Sequence, residues 1–552
     1  MAVNIAGLVV LVAFYLLILV IGILATRCFR VKDQHVSVVE ASLVAGRSLR
    51  GVVSIFTMIA TTVGGGYING TAESVATSGL VWTLAPLGIF LGLNLGGLVY
   101  AKRMREKKYI TMLDPIQKSF GQLATLLVYA ASLWGDLFWT AAILSALGTS
   151  LSVIANVPLV IAVCVSAGVT VLYTVIGNMV AVAYTDVAQL ALIFIGLVGS
   201  VPFVLTNNHV ASIETTKDKW LGSLDLESSF TWVDLLLAMT FGTIPWQAYF
   251  QRVLSVRGPN QAVLLSVVGA FGAVVFAVPS ILIGAAAVSA DWSNTSIGYS
   301  PLSPNHSEAS LVLPLVLKEF TPPIVSYLGL GAISAAVMSS MDSSILGSSA
   351  MFTHNIYNGI IHKKASDTEL MVVQRLAVVC VGLIATAISL SVPVIYGLFI
   401  LAADIVYVII LPQVDLRHFP SSARQCFWIC CWLCGWSFLR FGAGEPTIGL
   451  EPFIPFSVWD PMYGQSFPFR TVAMLCSALT IVAVSEGVLV LHQLRCNKRN
   501  CHVIPPSQAS WQTREGEEAN AFLDQDMALL DKANTLDQDI ILLDKMNTAP
   551  GS

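Results

Sequence analysis

Two short segments interrupt long apolar stretches with residues suited to an ion or solute site. In the first, residues 243–252, Pro245 and Trp246 are accompanied by Gln247 and Gln251. A proline inside a helix removes a backbone donor and breaks the hydrogen-bond ladder. In a bilayer, such a break is tolerated only where its freed backbone groups line a cavity within the protein. We therefore expect the two glutamines to face that cavity or the end of the span.

The second interruption is a run of three glycines, Gly64 to Gly66, within residues 60–67. Consecutive glycines favour unwinding and close backbone approach. They also permit tight packing between helices, which is the alternative interpretation. Interrupted spans at corresponding places in two halves of a chain are the best sequence indication of a transporter site. Because both interruptions are present, we favour a site over packing.

Composition assigns the chain to a class. It has 552 residues, of which 55% are hydrophobic and 11% are charged, whereas a soluble domain carries about 25% charged residues. The net charge of −4 gives no indication of nucleic-acid binding, because the basic residues cluster beside apolar spans. We predict an all-α polytopic membrane protein, not an enzyme, since no nucleophile–base set or cofactor loop is evident. The first apolar run, 6–26, is followed rather than preceded by arginines, so we expect a retained helix.

Apolar stretches of about 20 residues recur along the chain. We predict about 13 transmembrane helices, which occupy residues 6–26, 49–71, 79–100, 122–154, 158–177, 181–206, 232–253, 262–289, 325–361, 373–393, 395–415, 424–441 and 471–495.

Charge and glycosylation signals agree on one orientation. With the N-terminus outside, the basic loops 27–48 and 101–108 are cytoplasmic, as the positive-inside rule requires. Asn294 and Asn305 begin glycosylation sequons, and both fall in the predicted outer loop 290–324. We therefore expect an extracellular N-terminus and a cytoplasmic C-terminus.

A polar tail follows the membrane domain. We divide the chain into a transmembrane domain, 1–500, and a disordered cytoplasmic tail, 501–552. Residues 523–532 recur in similar form as 536–545. Acidic residues beside paired leucines resemble endocytic signals, which would make an adaptor protein a partner. A short pair of amphipathic helices, or simple repeat expansion, is the other interpretation.

Cysteines give no sign of a disulfide framework, because none of the ten lies in a predicted outer loop. Cys426, Cys430 and Cys434 share one helix face, where packing is favoured over a metal site because no histidine or acid accompanies them.

Several strings resemble the sodium/solute symporter family and, within it, the choline-transporting branch, over residues 1 to about 495. The strings that carry this resemblance lie at residues 67–73, 111–115, 183–187, 244–254, 334–340, 444–446 and 467–469.

The resemblance implies a LeuT-type fold in which spans 2–6 and 7–11 form two inverted five-helix repeats. The two interrupted helices would then be the first helix of each repeat. It also implies a symporter that imports choline across the plasma membrane by alternating access, with synaptic vesicles as a further location. Sodium would be the coupling ion, and the resemblance implies no cofactor; a role for chloride stays open. A non-transporting sensor with the same fold is an alternative from another class.

Choline is a quaternary ammonium without an N–H donor, so aromatic faces are its natural partners. The resemblance places its cage at Trp139, Trp246, Thr62 and Ile89. The last two stand where the branch carries Trp and Tyr. The substrate is therefore choline or, alternatively, another small organic solute. The aromatic residues considered as replacements for the lost faces are Tyr67, Trp82, Phe90 and Phe138.

The same resemblance implies a sodium site. Sodium takes oxygen ligands, and those expected are the hydroxyls of Ser339 and Ser340, the carbonyl groups of Ile59, Thr62 and Ala336, and the carboxylate of Asp342. The alternative role of the two serines is hydrogen bonding to their own helix. A carboxylate within a span is functional by default.

Three further acids fall in or at predicted spans. Asp136 stands where the branch carries Glu, which shortens its reach and leaves its role open. Asp186 is either a functional group or a solvated charge at a helix end. Asp404, the third of these acids, lies in the predicted span 395–415.

The orientation can be tested by glycosylation. Enzymatic deglycosylation of the protein from cells should shift its band on a gel, and Asn294→Gln combined with Asn305→Gln should abolish the shift. Each single variant is the matched control, and should retain any shift carried by the other sequon. An epitope in the tail that antibody reaches on intact cells would contradict the orientation.

Overall fold

Helices dominate the structure, a computed structural model. It describes residues 4–28, 38–177, 179–303, 308–392, 394–415, 440–456, 459–460, 464–480 and 483. All of these belong to one compact unit. The sequon at Asn305, the three cysteines at 426, 430 and 434, and the tail repeat lie outside the described residues.

The first half of the fold is a series of helices, most of them apolar. In chain order they are α1 (Ile5–Cys28), α2 (Val38–Val44), α3 (Gly51–Thr62), α4 (Gly65–Thr77), α5 (Ala85–Leu95), α6 (Lys102–Glu106), α7 (Asp114–Ala155), α8 (Leu159–Ile176), α9 (Met179–Ile193) and α10 (Gly199–Leu205).

The second half is also mostly helical. Its helices are α11 (Lys217–Trp220), α12 (Ser229–Gly242), α13 (Gln247–Ser255), α14 (Pro259–Ser289), α15 (Val312–Phe320), α16 (Pro323–Met351), α17 (Asp367–Ser391), α18 (Ile395–Ile405) and α19 (Leu411–Asp415). A further apolar helix covers Phe469–Thr480. The short strands β1 (Trp459–Asp460) and β2 (Gly464–Gln465) pair antiparallel.

Wider helical turns join several of these helices into single spans. Such turns occupy Gly96–Ala101, Phe194–Val198, Phe352–Ile361 and Val406–Ile410. In the described part, eight helices are long and apolar enough to cross a bilayer, or nine if α3 and α4 form one bent span. The predicted spans up to residue 415 all correspond to helices. Spans 49–71 and 232–253 are each divided in two, and the apolar helix in 158–177 is short. The number 13 stays a prediction, because most of 424–441 and 471–495 lies outside the described residues.

The centre of the bundle is built on small side chains. The α16 helix packs against α7 and α9, and α18 packs against α7 and α12. Small residues allow helix backbones to approach closely, and hydroxyl groups between helices add hydrogen bonds. Thr140 on α7 and Ser344 on α16 share one such bond, of 2.7 Å. This close contact holds the polar side chains of α7 and α16 in fixed positions at the centre of the protein.

Candidate functional site

The glycine run breaks a span as the sequence predicts. The α3 helix ends at Thr62, α4 begins at Gly65, and the two axes differ by 46°. A Cβ atom on Gly64 would lie 1.9 Å from the Ser340 hydroxyl oxygen, so α16 approaches the backbone where only glycine fits. The break therefore brings freed carbonyl groups of α3 beside a hydroxyl of α16.

The second break lies between α12 and α13. Trp246 has an extended backbone, with φ −114° and ψ 125°, and Pro245 before it has no N–H to donate. The glutamines after it are buried: Gln247 accepts a bond from the Met112 N–H (2.8 Å), and the Gln251 amide donates to the Leu43 carbonyl (2.8 Å). Of the two predicted positions, these contacts match the end of the span and not the cavity.

Both breaks border one narrow cavity of about 40 Å³, much smaller than the roughly 300–1,000 Å³ of small-molecule sites. All four residues predicted for the substrate site line this cavity. Its lining consists of Thr62, Ile89, Leu93, Gly135, Asp136, Trp139, Gly242, Thr243, Trp246, Phe399, Ala402, Ala403 and Val406.

Three aromatic rings form one wall. The rings of Trp139 and Trp246 are 5.0 Å apart and edge-to-face, and Trp139 lies 4.5 Å from Phe399. Phe399 was missed from sequence, because its ring reaches the cavity only through the packing of α18 on α7.

Tyr67, Trp82, Phe90 and Phe138 were considered as replacements for the missing Trp and Tyr faces. All four are described residues, and none of them lines this cavity. The Tyr67 hydroxyl donates to the Ala273 carbonyl (2.9 Å), and the Trp82 indole donates to the Ser223 carbonyl (3.0 Å). Phe90 packs on Phe271, and Phe138 lies near Trp134. A further aromatic face in this cavity comes from Phe399, and a role for the other four stays a prediction.

The predicted sodium residues divide into two groups. The Ser340 hydroxyl lies 3.5 Å from the Ala60 carbonyl and 3.4 Å from the Thr61 carbonyl, so it faces the break in α3 beside Thr62. The Ile59 carbonyl, one of the expected ligands, accepts a bond from the Val63 N–H (2.7 Å). This group lies where α3 unwinds.

The second group lies deeper against α8 and α9. The Ser339 hydroxyl donates to Asp186 (2.6 Å). The Asp342 carboxylate accepts a bond from Thr174 (2.5 Å), and its other oxygen is buried with no hydrogen-bond partner in the described part of the chain. The structure thus does not bring Asp342 beside Ser340, although both are on α16.

Asp186 is fully buried, which excludes a solvated charge at a helix end. It forms an ion pair of 3.5 Å with the buried Arg252, and Thr57 also donates to it. Arg252 was missed as a site residue. The available signal was a basic residue within an apolar span, where a charge is costly without a partner.

Asp404 belongs to a separate buried charge cluster. Its carboxylate pairs with Arg440 and with Arg470 (3.0 Å), and Arg440 also pairs with Glu445 (2.5 Å). Asp234 on α12 accepts bonds from the start of the helix Phe469–Thr480. This cluster ties that helix to α12 and α18, away from the cavity.

Comparison with known proteins identifies the family. A family model described as the sodium:solute symporter family matches residues 43–414. This chain belongs to that family. It is similar to High-affinity choline transporter 1 of Drosophila melanogaster, with 45% identity over 486 residues, 88% of this chain and 78% of that protein. The High affinity choline transporter 1 of Homo sapiens is also 45% identical, over 497 residues that cover 88% and 85%.

A solved structure shows the fold of this sodium:solute symporter. A Na⁺-coupled sialic acid symporter, in a substrate-bound outward-open state, superposes with a TM-score of 0.67 at 16% identity. The match covers 87% of this chain and 97% of that one. The LeuT-type fold expected from the resemblance is thereby confirmed.

The close approach at the first break gives a test of the site. Gly64→Ala should abolish uptake, because its methyl group would overlap the Ser340 side chain. Gly51→Ala is the matched control, since a Cβ there meets no atom within 4 Å. The measurement is sodium-dependent uptake normalised to protein at the cell surface. Normal uptake by Gly64→Ala would show that the backbone at the break is not held against α16.

Proposed function

We propose that this protein imports choline across the plasma membrane, coupled to sodium, by alternating access. The observation that carries the proposal is that one cavity joins both helix breaks to the edge-to-face pair Trp139 and Trp246. Aromatic faces attract a quaternary ammonium, an interaction worth about 2 kcal/mol or more when water is excluded. The names of the relatives that are 45% identical support the same substrate.

Sodium supplies the coupling. At the first break, the Ser340 hydroxyl and nearby carbonyl groups offer oxygen ligands. Deeper, two carboxylates, Asp186 and Asp342, lie within electrostatic range of a single guanidinium, that of Arg252. With both carboxylates ionised, this group has one more negative than positive charge, which a bound cation would balance.

Transport then follows from a difference in affinity between states. Sodium that binds only when α3 and α16 are in contact stabilises one arrangement of the helices, and the substrate joins that arrangement. Both ligands are released when the helices move apart, because the oxygen ligands then separate.

One observation supports a different substrate. Thr62 and Ile89 line the cavity and offer no aromatic face. The alternative function is therefore sodium symport of another small organic solute. The experiment that separates the two is sodium-dependent uptake of labelled choline in cells that express the chain, with other amines as competitors. Sodium binding without any uptake would indicate a sensor.

The remaining assignments belong to the same proposal. An extracellular N-terminus and a cytoplasmic tail are supported by the basic loops, and Asn294 is exposed, as a glycosylation site must be. The paired leucines of the tail support an endocytic adaptor as a partner, and synaptic vesicles as a second location.

The ion assignment predicts a defined phenotype for Asp342→Asn. The variant should raise the sodium concentration for half-maximal uptake about tenfold, the effect of losing about 1.4 kcal/mol of ion binding. The measurement is uptake against sodium concentration at fixed surface expression. Thr174→Val is the control, because it keeps the carboxylate and removes the hydroxyl that contacts Asp342 (2.5 Å) and the Thr170 carbonyl (2.8 Å). Unchanged sodium dependence in Asp342→Asn would make this carboxylate structural.

The aromatic wall predicts a second phenotype. Trp139→Ala and Trp246→Ala should each raise the choline concentration for half-maximal uptake about tenfold or more, because each removes a cation–π face. Thr62→Trp combined with Ile89→Tyr should lower that choline concentration, because it restores two aromatic faces. The gain requires room for both rings, since overpacking a site causes strain.

A neutral isostere of choline, with carbon in place of nitrogen, is the control for the paired substitution. Restored aromatic faces should favour the charged ligand. Equal gains for both ligands would show added apolar contact instead of recognition of charge. An absence of choline uptake before and after restoration, with sodium binding intact, would favour the alternative solute.

A further inference from the structure

The cavity contains a buried carboxylate, Asp136. Its side chain lines the cavity and is 4% exposed. One oxygen, Oδ2, accepts a hydrogen bond from the Ser348 hydroxyl on α16 (2.6 Å). This bond fixes the carboxylate against α16. The other oxygen, Oδ1, has no hydrogen bond from any residue that the structure describes.

No side-chain cation balances this group within the described chain. The buried arginines of the described chain contact other groups: Arg252 pairs with Asp186, and Arg440 and Arg470 pair with Asp404. Arg105 donates to backbone carbonyls. An ionised carboxylate in an apolar interior is costly unless a positive charge accompanies it. The charge of Asp136 is therefore best balanced by a cation that enters the cavity.

The position of Asp136 suits an organic cation. Trp139 follows it by three residues on α7, a spacing that puts both side chains on one face of the helix. Trp246 and Phe399 pack on the Trp139 ring from other helices. In an arrangement of the helices that widens this cavity, a small cation would meet aromatic faces on one side and the carboxylate on the other.

We propose that Asp136 is the counter-anion of the transported cation, and that the substrates are small organic monocations that include tertiary ammoniums. The proposal rests on the proposed function and names its substrate class. With Thr62 and Ile89 in place of aromatic residues, recognition of charge depends more on the ion pair. A tertiary ammonium can donate its N–H to Oδ1 in a charge-assisted hydrogen bond, which a quaternary ammonium cannot form.

The test compares ligands that differ in charge, with purified full-length protein in sodium. Affinities are measured for choline, for N,N-dimethylethanolamine at a pH where it is protonated, and for 3,3-dimethylbutan-1-ol, the neutral isostere of choline. Asp136→Asn should lower the ratio of choline affinity to isostere affinity about tenfold. Asp136→Glu, which keeps the charge, should hold that ratio near the wild-type value. An unchanged ratio in Asp136→Asn would overturn the proposal.

A measurement on the unaltered protein keeps the test decisive if Asp136→Asn fails to fold. N,N-dimethylethanolamine should bind within about threefold of choline. Exclusion of this tertiary amine by more than about tenfold would overturn the proposal. Failure of the proposed function gives a different result, because the unaltered protein would then neither bind nor take up choline, whatever the residue at position 136.

Discussion

The structure depends on one constraint: a backbone group freed inside a membrane must find a partner within the protein. The α3–α4 and α12–α13 breaks free such groups at two places, and both face the same cavity. Gly64 lets α16 approach the first break, and Trp246, with an extended backbone, precedes the helix after the second. The site thus lies where the helical ladder cannot satisfy its own carbonyl groups.

Buried charged groups likewise need a partner within the protein. Arg252 and Asp186 neutralise each other beside the first break, and Asp404 pairs with two arginines at the edge of the core. Glu73 on α4 is buried without an ion pair, but it accepts a bond from the Tyr396 N–H (3.4 Å). Among the described residues, Asp136 in the cavity and Asp342 against α8 likewise form no ion pair. A transporter that carries an organic cation together with sodium has a use for both, because each negative charge lowers the cost of bringing a cation into an apolar interior.

The agreement between the sequence-based predictions and the structure differs from one group of residues to another. Trp139, Trp246, Thr62 and Ile89 were assigned to one site, and they line one cavity. Ser340 faces the break as expected, but Asp342 does not share its surroundings. A residue two positions further along a helix points to a different side, so a short sequence motif cannot guarantee a common site.

The sequence by itself determined the class of protein and the positions of both breaks, because apolar length, proline and glycine act locally on the backbone. It indicated the family only through the resemblance of several short strings to known members. Tertiary structure decided which side chains share the cavity. The contact between Phe399 and Trp139 and the bond from Ser348 to Asp136 each join two helices, at positions hundreds of residues apart in the chain. Such contacts depend on how α7, α16 and α18 rotate and cross, and the packing of the whole bundle sets those angles.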